Sequence, residues 1–452
     1  MRTRALAMDM PKILPMTTAA NRPSSVSSEP HRNHFAGIDA LRAVAAVAVV
    51  VLHACVPYAQ PSMAGLSWSV HDTPSEPVTA VFWAIEIVIM PIFLVIAGFF
   101  AARSIAYKGA WSTAANRLRR LGWPLLLTTL FLLPIEFYTW MLGWVAEGQV
   151  AVGNVRRMKF EGGIDRNLWG LSHLWFLQYL MTYMILLAAS WSTLVRCTAG
   201  QIGRIALPGC FLAAVVALTL RPEVVWGFQH SFLPVVSKWV YSGAFFAAGV
   251  FWYRLDPELD ELAERGSRLL GPGVLLTTAA VCIGTWWLGV IGDPAMWIGG
   301  GWAGIDPEVT TEKFAGQLPA SSLVMRSALA ILSVGAASLI TFALMGISLA
   351  SVNRLSPIMK SLANASFLIY LLHHPVVGLA HIAAKFALPT VSPIAKVALV
   401  SSLGVAAGWS VSWLATRRRQ RIREQSQASQ ERPQSIAFPQ RSETEVAKTR
   451  AA

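Results

Sequence analysis

An apolar segment near the start of the chain carries three side chains that can take part in chemistry. Residues 37–54 are long enough to cross a bilayer as a helix, yet they include Asp39, Arg42 and His53. A charge in hydrocarbon costs several kcal/mol, so an ionisable residue in a spanning helix indicates a functional site. Arg42 and His53 are eleven residues apart, which places them on one helical face at depths that differ by roughly 16 Å. This spacing predicts a groove that begins at Arg42 near one membrane surface and reaches His53 deep inside.

The imidazole of His53 is typical of a general base. A neutral imidazole can take a proton from a hydroxyl group that attacks a carbonyl carbon, provided that a partner orients the ring. Glu86 lies in the second apolar segment at a similar predicted depth, so we expect it to be that partner. The alternatives are a histidine that only joins two helices by a hydrogen bond, and a glutamate kept neutral in the bilayer.

A basic segment after the second apolar segment could hold phosphate groups. Arg117 and Arg120 are three residues apart in a predicted loop, and on a helical turn they would share a face. Guanidinium groups bind phosphate oxygens in a planar fork geometry. The alternative is that these arginines only follow the positive-inside rule.

Histidines and an aromatic residue later in the chain add further candidates. His373 and His374 precede Pro375, which removes a backbone hydrogen bond and bends the predicted helix. Neighbours on a helix differ by 100°, so only one of the two histidines can point into a central cavity. His173 and Trp175 form a polar and aromatic rim that could stack on sugars, although such residues are common at membrane interfaces. No carboxylate or thiolate lies at ligand spacing from these histidines, so we expect no metal.

The composition predicts an all-α polytopic membrane protein. Of 452 residues, 54% are hydrophobic and 13% are charged, whereas soluble domains have about 25% charged residues. The net charge of +13 gathers at the termini and in alternate loops, which indicates membrane topology and no binding of nucleic acid. The four cysteines are scattered and form no CxxC pair, so neither a disulfide nor a metal site is expected from them.

Apolar windows of about twenty residues predict ten transmembrane helices. The windows lie at 38–58, 78–101, 121–143, 173–195, 205–220, 236–253, 269–291, 323–349, 362–383 and 394–415. We therefore expect a membrane domain at 37–415 between disordered basic tails at 1–36 and 416–452. The first tail lacks the apolar core of a signal peptide.

Four segments in this order resemble the acyltransferase 3 family of integral membrane acyltransferases. They are Gly37-Ile-Asp-Ala-Leu-Arg42-Ala with ten residues between Arg42 and His53, Pro91-Ile-Phe-Leu-Val-Ile-Ala97-Gly98-Phe99, Arg117-x-x-Arg120, and Tyr370-Leu-Leu-His373-His374-Pro375. The likeness spans residues 36–415. Ala97-Gly98 stands where the family has Ser-Gly. The segment from His173 to Gln178 lacks the glutamate of many members and is similar to the branch that decorates periplasmic glucans, with succinyl for instance.

The resemblance implies an enzyme of the plasma (inner) membrane that moves an acyl group from a cytoplasmic acyl-CoA to a hydroxyl of a glycan or another envelope molecule. Acyl-CoA would be a co-substrate, no cofactor would be bound, and membrane lipid would surround the protein. His53 and Glu86 are the expected catalytic residues. The expected substrate-binding residues are Arg42, Arg117, Arg120, His173, Trp175, His373 and His374.

A transporter or exporter of an anionic or sugar-like solute is the alternative from another class. It would use the same groove, with Arg42 and the histidines as binding and proton-relay groups. Many secondary transporters contain internal repeats, and none is visible in this sequence, which disfavours this alternative.

The distribution of Lys and Arg predicts that both termini are cytoplasmic. The predicted inner loops hold twelve of these residues and the outer loops hold seven, so the positive-inside rule also places the 144–172 loop outside. A reporter that is active only outside the cytoplasm should give no signal when fused after Ala452, and a strong signal when inserted in the 144–172 loop. A strong signal from the C-terminal fusion would mean an odd number of crossings and would overturn this orientation.

Overall fold

A computed structural model describes residues 35–63, 65–158, 160, 164, 168–228, 231–291 and 323–431. Every regular element in these ranges is helical, so the predicted all-α class is confirmed. Most of the two predicted tails, residues 1–34 and 432–452, lies outside the described part of the chain. The last helix continues to Glu431, which takes it into the range predicted as the C-terminal tail.

Eleven long helices correspond closely to the apolar windows. They are α1 (Ala36–Cys55), α2 (Glu76–Lys108), α3 (Ala110–Leu127), α4 (Leu133–Ala146), α5 (Trp175–Leu194), α6 (Leu207–Leu220), α7 (Val236–Leu255), α8 (Leu270–Ile291), α9 (Leu323–Ser351), α10 (Pro357–Ala387) and α11 (Pro393–Glu431). Short helical segments lie at Val56–Tyr58, Thr128–Leu132, Val152–Arg157, Ser172–Leu174, Ala199–Gln201, Ile202–Ala206, Glu223–Trp226, Asp260–Arg265 and Gly266–Leu269. The turn at Thr128–Leu132 joins α3 and α4 into one continuous stretch.

Nine helical stretches of the described chain are long and apolar enough to cross a membrane. The remaining predicted span, 236–253, corresponds to α7, which contains Lys238 and Arg254 and is not among these nine stretches. This helix nevertheless packs along α2 at very short range. A Cβ atom on Gly98 would lie 2.0 Å from the Phe246 carbonyl oxygen, and one on Gly249 would lie 2.1 Å from the Val95 carbonyl oxygen. Only glycine permits such an approach of two backbones, so α2 holds the polar α7 inside the helical assembly.

Helix ends gather at two faces of the protein. At one, which we call the arginine face, α1 begins beside the end of α9, since a Cβ atom on Gly37 would meet the Ser348 carbonyl oxygen. Arg103 near the end of α2 donates a hydrogen bond to the Pro257 carbonyl just after α7. In α11, the indole N–H of Trp409 reaches the hydroxyl of a serine near the start of α10. The start of α1 and the later part of α11 therefore lie towards the same face.

At the opposite face, the connection between α1 and α2 is inserted between α4 and α10. The indole N–H of Trp140 donates to the Ser67 carbonyl at 2.8 Å, and that of Trp144 donates to the Trp68 carbonyl at 2.9 Å. The Trp68 indole itself donates to His381 of α10 at 3.1 Å. These bonds fix the 59–75 connection over the interior of the protein.

An ion pair holds the same connection to α11. The Nζ atom of Lys396 lies 2.7 Å from Oδ2 of Asp72, and the two side chains are 2% and 10% exposed. Burial by itself raises the pKa of Asp72. Hydrogen bonds from Lys396 and the Thr73 amide, together with the positive charge of Lys396, outweigh this effect, so the pKa of Asp72 is lowered below its usual value. The ionised carboxylate therefore stabilises the folded state.

Replacement of Asp72 by Asn should destabilise the protein, because it leaves the Lys396 ammonium buried without its counter-ion. We expect a loss of about 3 to 5 kcal/mol at pH 7, measured by detergent-titration unfolding in mixed micelles. A carboxyl with a lowered pKa stabilises above its unfolded pKa of about 3.9 and loses this effect as the pH falls through the folded value. The difference between wild type and Asp72→Asn should therefore shrink below about pH 4.

The matched control is Glu76→Gln, which removes an exposed carboxylate at the same face. Its effect should stay within about 0.5 kcal/mol. An Asp72→Asn loss that is equally small, or that does not change with pH, would contradict a stabilising role for the ion pair.

Candidate functional site

Four histidines and one glutamate meet in the interior, and we call them the histidine cluster. They are His53 of α1, Glu136 of α4, His173 of the turn before α5, and His373 and His374 of α10. Ring centroids of His53 and His374 are 4.7 Å apart, and those of His173 and His374 are 4.5 Å apart. Residues that are more than 300 positions apart in the chain thus form one site.

The proline of α10 explains how His173 is held. Pro375 has no N–H, so the carbonyl of Leu371, four residues earlier, lacks its usual helical hydrogen bond. The Nε2 atom of His173 lies 3.2 Å from that carbonyl oxygen and donates to it. The Tyr370 hydroxyl donates in turn to the carbonyl of His173. The residue that was expected only to bend α10 therefore also creates the acceptor that fixes His173.

Hydrogen bonds define which nitrogen of His53 is basic. His373 donates through Nδ1 to the carbonyls of Ile369 at 3.1 Å and Tyr370 at 2.9 Å, so its Nε2 carries a lone pair. His53 Nδ1 lies 3.2 Å from that Nε2 and 2.8 Å from the Val49 carbonyl oxygen. Both neighbours are acceptors, which assigns the proton of His53 to Nδ1. The Nε2 atom of His53 is therefore the one that can accept a proton.

The carboxylate of the cluster belongs to Glu136, a residue that was not among the predicted site residues. Its side chain is 4% exposed, with Oε1 at 2.9 Å from His374 Nδ1 and Oε2 at 3.5 Å from His173 Nδ1. Glu136 lies within the apolar window at 121–143. The argument that singled out His53, an ionisable residue in a spanning helix, applies equally to it.

Glu86 does not take the orienting position that was predicted for it. It is half-buried in α2, and the charge that acts on it is that of Lys238. The prediction matched Glu86 to His53 by depth alone, and depth does not specify which side of a helix faces which neighbour. The carboxylate near His53 is instead that of Glu136.

A small cavity opens within the histidine cluster. It measures about 20 Å³, and its lining includes His53, Glu136, His173, His374 and Ser172. This is room for a group the size of one water molecule. Of the adjacent histidines in α10, His374 faces this cavity and His373 supports His53.

The predicted polar and aromatic rim is divided in the structure. His173 is buried, 5% exposed, within the cluster. Trp175 instead packs over the ammonium of Lys238, with 3.9 Å between Nζ and the ring centroid. Trp175 therefore lies against α7, and it is not part of the small cavity's lining.

A second, larger cavity opens at the arginine face. It measures about 1220 Å³, which exceeds the usual range of about 300–1,000 Å³ for small-molecule sites. Its basic lining residues are Arg42, Arg117, Arg354 and Lys360, and its apolar lining includes Met90, Phe93, Phe176, Leu177 and Phe367. Ala97, which replaces the serine of the family pattern, also lines it.

The predicted basic loop is part of helix α3, so Arg117 and Arg120 are on a helical turn. Arg117 lines the large cavity, within electrostatic reach of Arg42. Arg120 is exposed and is not part of that lining. Arg42 makes an ion pair with Asp39 at 3.1 Å. Of the two predicted phosphate ligands, only Arg117 thus contributes directly to the cavity.

The two cavities are separated at Tyr370. This side chain lines the large cavity, while its hydroxyl bonds to His173 of the cluster. Tyr370 is ten residues beyond Lys360 in α10, which corresponds to roughly 15 Å of depth. The groove predicted between Arg42 and His53 is therefore two cavities with a wall between them.

The helices and the histidine cluster define a membrane-embedded protein with an ionisable site in its interior. The profile of the acyltransferase domain family matches residues 35–413, and no curated protein or solved structure matches the chain. Because the match covers most of the sequence, the chain belongs to the acyltransferase 3 family, as predicted. It is a multi-pass membrane acyltransferase. The match gives no support to the transporter alternative.

We expect replacement of His53 or of Glu136 to abolish most acyl transfer. We expect His53→Ala to lower the rate by about 10²- to 10⁴-fold, the usual contribution of a general base. Glu136→Gln, which keeps the shape but removes the charge beside two histidines, should lower it by about 10²-fold or more. The measurement is acyl transfer by membranes that contain each variant, normalised to the folded protein seen by fluorescence-detected gel filtration.

Glu86→Gln is the matched control, since it neutralises a different glutamate within the membrane domain. It should keep most of the activity. If it were as damaging as Glu136→Gln, the original pairing of Glu86 with His53 would regain support. Half the wild-type activity in His53→Ala would make His53 a structural histidine.

Proposed function

We propose that this acyltransferase moves an acyl group from a cytoplasmic acyl-CoA to a hydroxyl of a glycan or another molecule of the cell envelope. The observation that supports it most is the pair of cavities that meet at Tyr370, one large and basic, the other small and next to a free imidazole nitrogen. In this proposal the protein lies in the plasma (inner) membrane with its arginine face, and both termini, towards the cytoplasm.

The large cavity suits a donor that carries phosphates at one end and an acyl chain at the other. Four basic side chains line this cavity against one acidic side chain, that of Asp39; the basic ones are Arg42, Arg117, Arg354 and Lys360. Guanidinium groups bind phosphate oxygens in fork geometry. Phe93, Phe176 and other apolar side chains line the same cavity. A nucleotide thioester would therefore bind with its phosphates at the arginines and its acyl end directed to Tyr370.

The chemical step uses the free nitrogen of His53. In the proposed reaction, Nε2 takes the proton of the acceptor hydroxyl as its oxygen attacks the thioester carbonyl carbon. The C–S bond of the tetrahedral intermediate then breaks, and the leaving sulfur takes the proton back from His53. The His373 nitrogen and the Val49 carbonyl hold the ring through Nδ1. Movement of the Tyr370 side chain would bring the thioester and the hydroxyl together.

The resemblance to the glucan-modifying branch suggests a periplasmic glucan as acceptor. The segment from His173 to Gln178 carries that resemblance, and His173 lies at the small cavity. A cavity of about 20 Å³ admits one hydroxyl group of such a molecule at a time. The acceptor would present a single hydroxyl to His53.

Binding of acyl-CoA should depend on the arginines of the large cavity. Arg42→Ala and Arg117→Ala each remove a charged hydrogen-bond donor worth about 1.5 to 3 kcal/mol, so Kd should rise by about 10- to 100-fold. Arg117→Lys should restore binding only in part, because an ammonium is a point charge without the planar fork. The measurement is binding of acetyl-CoA and succinyl-CoA to the purified protein in nanodiscs.

Arg119→Ala and Arg120→Ala are matched controls, since they remove exposed arginines from the same helix. Both should bind nearly as well as wild type. If all four alanine variants weakened acyl-CoA binding equally, the effect would come from overall charge. If Arg117→Lys restored binding fully, the fork geometry would not be needed. If folded wild type bound no common acyl-CoA, the donor assignment would be wrong.

A further inference from the structure

Two buried atoms of the histidine cluster face each other without a hydrogen bond. Oε2 of Glu136 and Nδ1 of His173 are 3.5 Å apart, and neither has a hydrogen-bond partner among the described residues. The Nε2 atom of His173 donates to the Leu371 carbonyl, so Nδ1 carries the lone pair of the neutral ring. Two electron-rich atoms in a buried site repel each other unless a positive charge lies between them.

A third donor atom completes the arrangement. Nδ1 of His374 lies 2.9 Å from Oε1 of Glu136, and the ligand atoms of Glu136, His173 and His374 are all within 4.8 Å of one another. Zinc holds imidazole nitrogen and carboxylate oxygen at about 2.0 to 2.2 Å, so its tetrahedral ligands are about 3.3 Å apart. The separation of Glu136 from His374, 2.9 Å, is shorter than that value, and its separation from His173, 3.5 Å, is longer.

The surroundings of these atoms are those of a metal site. Histidines that bind metals usually donate their other ring N–H to a carbonyl or carboxylate, which fixes the ring. His173 does this through the Leu371 carbonyl that Pro375 leaves free. The small cavity beside all three side chains provides room for a water or hydroxyl oxygen, as in catalytic zinc sites with two histidines and one glutamate.

We propose that Glu136, His173 and His374 bind one divalent transition-metal ion, for which zinc is the best match to the ligand set. Sequence reasoning expected no metal because no carboxylate lies near the histidines along the chain. In the fold, α4 brings Glu136 to α10 from more than 200 residues away. If the proposed acyl transfer is correct, the ion would polarise the acceptor hydroxyl that His53 deprotonates. Metal binding itself does not depend on that reaction.

The first test is the metal content of the full-length protein, purified in detergent without a polyhistidine tag and dialysed against a trace of zinc. Mass spectrometry of the elements should find one zinc per wild-type chain. Glu136→Gln and His173→Gln should each lose at least about 10-fold in metal affinity. His53→Ala should keep the metal while it loses acyl transfer, because His53 is in the cluster but is not one of the three ligands.

The second test uses wild type alone, so it does not depend on the folding of any variant. Replacement of zinc by Co²⁺ should give the visible absorption of a four- or five-coordinate site. If wild type held no more zinc than Glu136→Gln and gave no cobalt spectrum, the inference would be wrong, and a proton would be the charge between Glu136 and His173. If the protein bound the metal but transferred no acyl group, the proposed function would be wrong and the proposed metal site would still be correct.

Discussion

The structure depends on a constraint that the bilayer imposes, namely that each polar group in its interior must find a partner inside the protein. Pro375 breaks this rule locally, since it leaves the Leu371 carbonyl of α10 without a helical N–H. His173 satisfies that carbonyl and is thereby directed, through its other nitrogen, towards Glu136. His374 reaches the same carboxylate from the next turn. One missing backbone donor thus determines how the turn before α5, helix α4 and helix α10 meet.

Burial and close packing then determine which polar residues remain inside. Helix α7 carries Lys238, which is 7% exposed, and it would be a poor spanning helix by itself. Gly98 and Gly249 let its backbone touch that of α2, while Trp175 covers the ammonium. An aromatic ring over a desolvated cation contributes about 2 kcal/mol. Small residues and aromatic rings therefore keep a polar helix where hydrophobicity alone would not.

The helices and the family were predictable because both are encoded in short stretches of sequence. Apolar windows locate spans from local composition, and the spacing of Arg42 and His53 is a local pattern. Glu136, and not the predicted Glu86, lies near His53. Local sequence patterns could not show this, because a carboxylate at the right depth can face any of several neighbours. In the same way, the sequence does not distinguish Arg117 from Arg120. The packing of α3 places only Arg117 at the large cavity. Contacts between distant helices required the fold.

The wall at Tyr370 has a consequence for the energetics of the membrane that surrounds the protein. A potential of 100 mV is worth about 2.3 kcal/mol for each elementary charge that crosses, and a continuous aqueous path would dissipate it. In this protein Tyr370 lies between the two cavities, and its hydroxyl is also bonded to His173 of the histidine cluster. In the proposed function, an acyl group that is uncharged at its carbonyl passes at Tyr370 while ions stay on their own sides. The proposed transfer across the bilayer is thus compatible with electrical insulation.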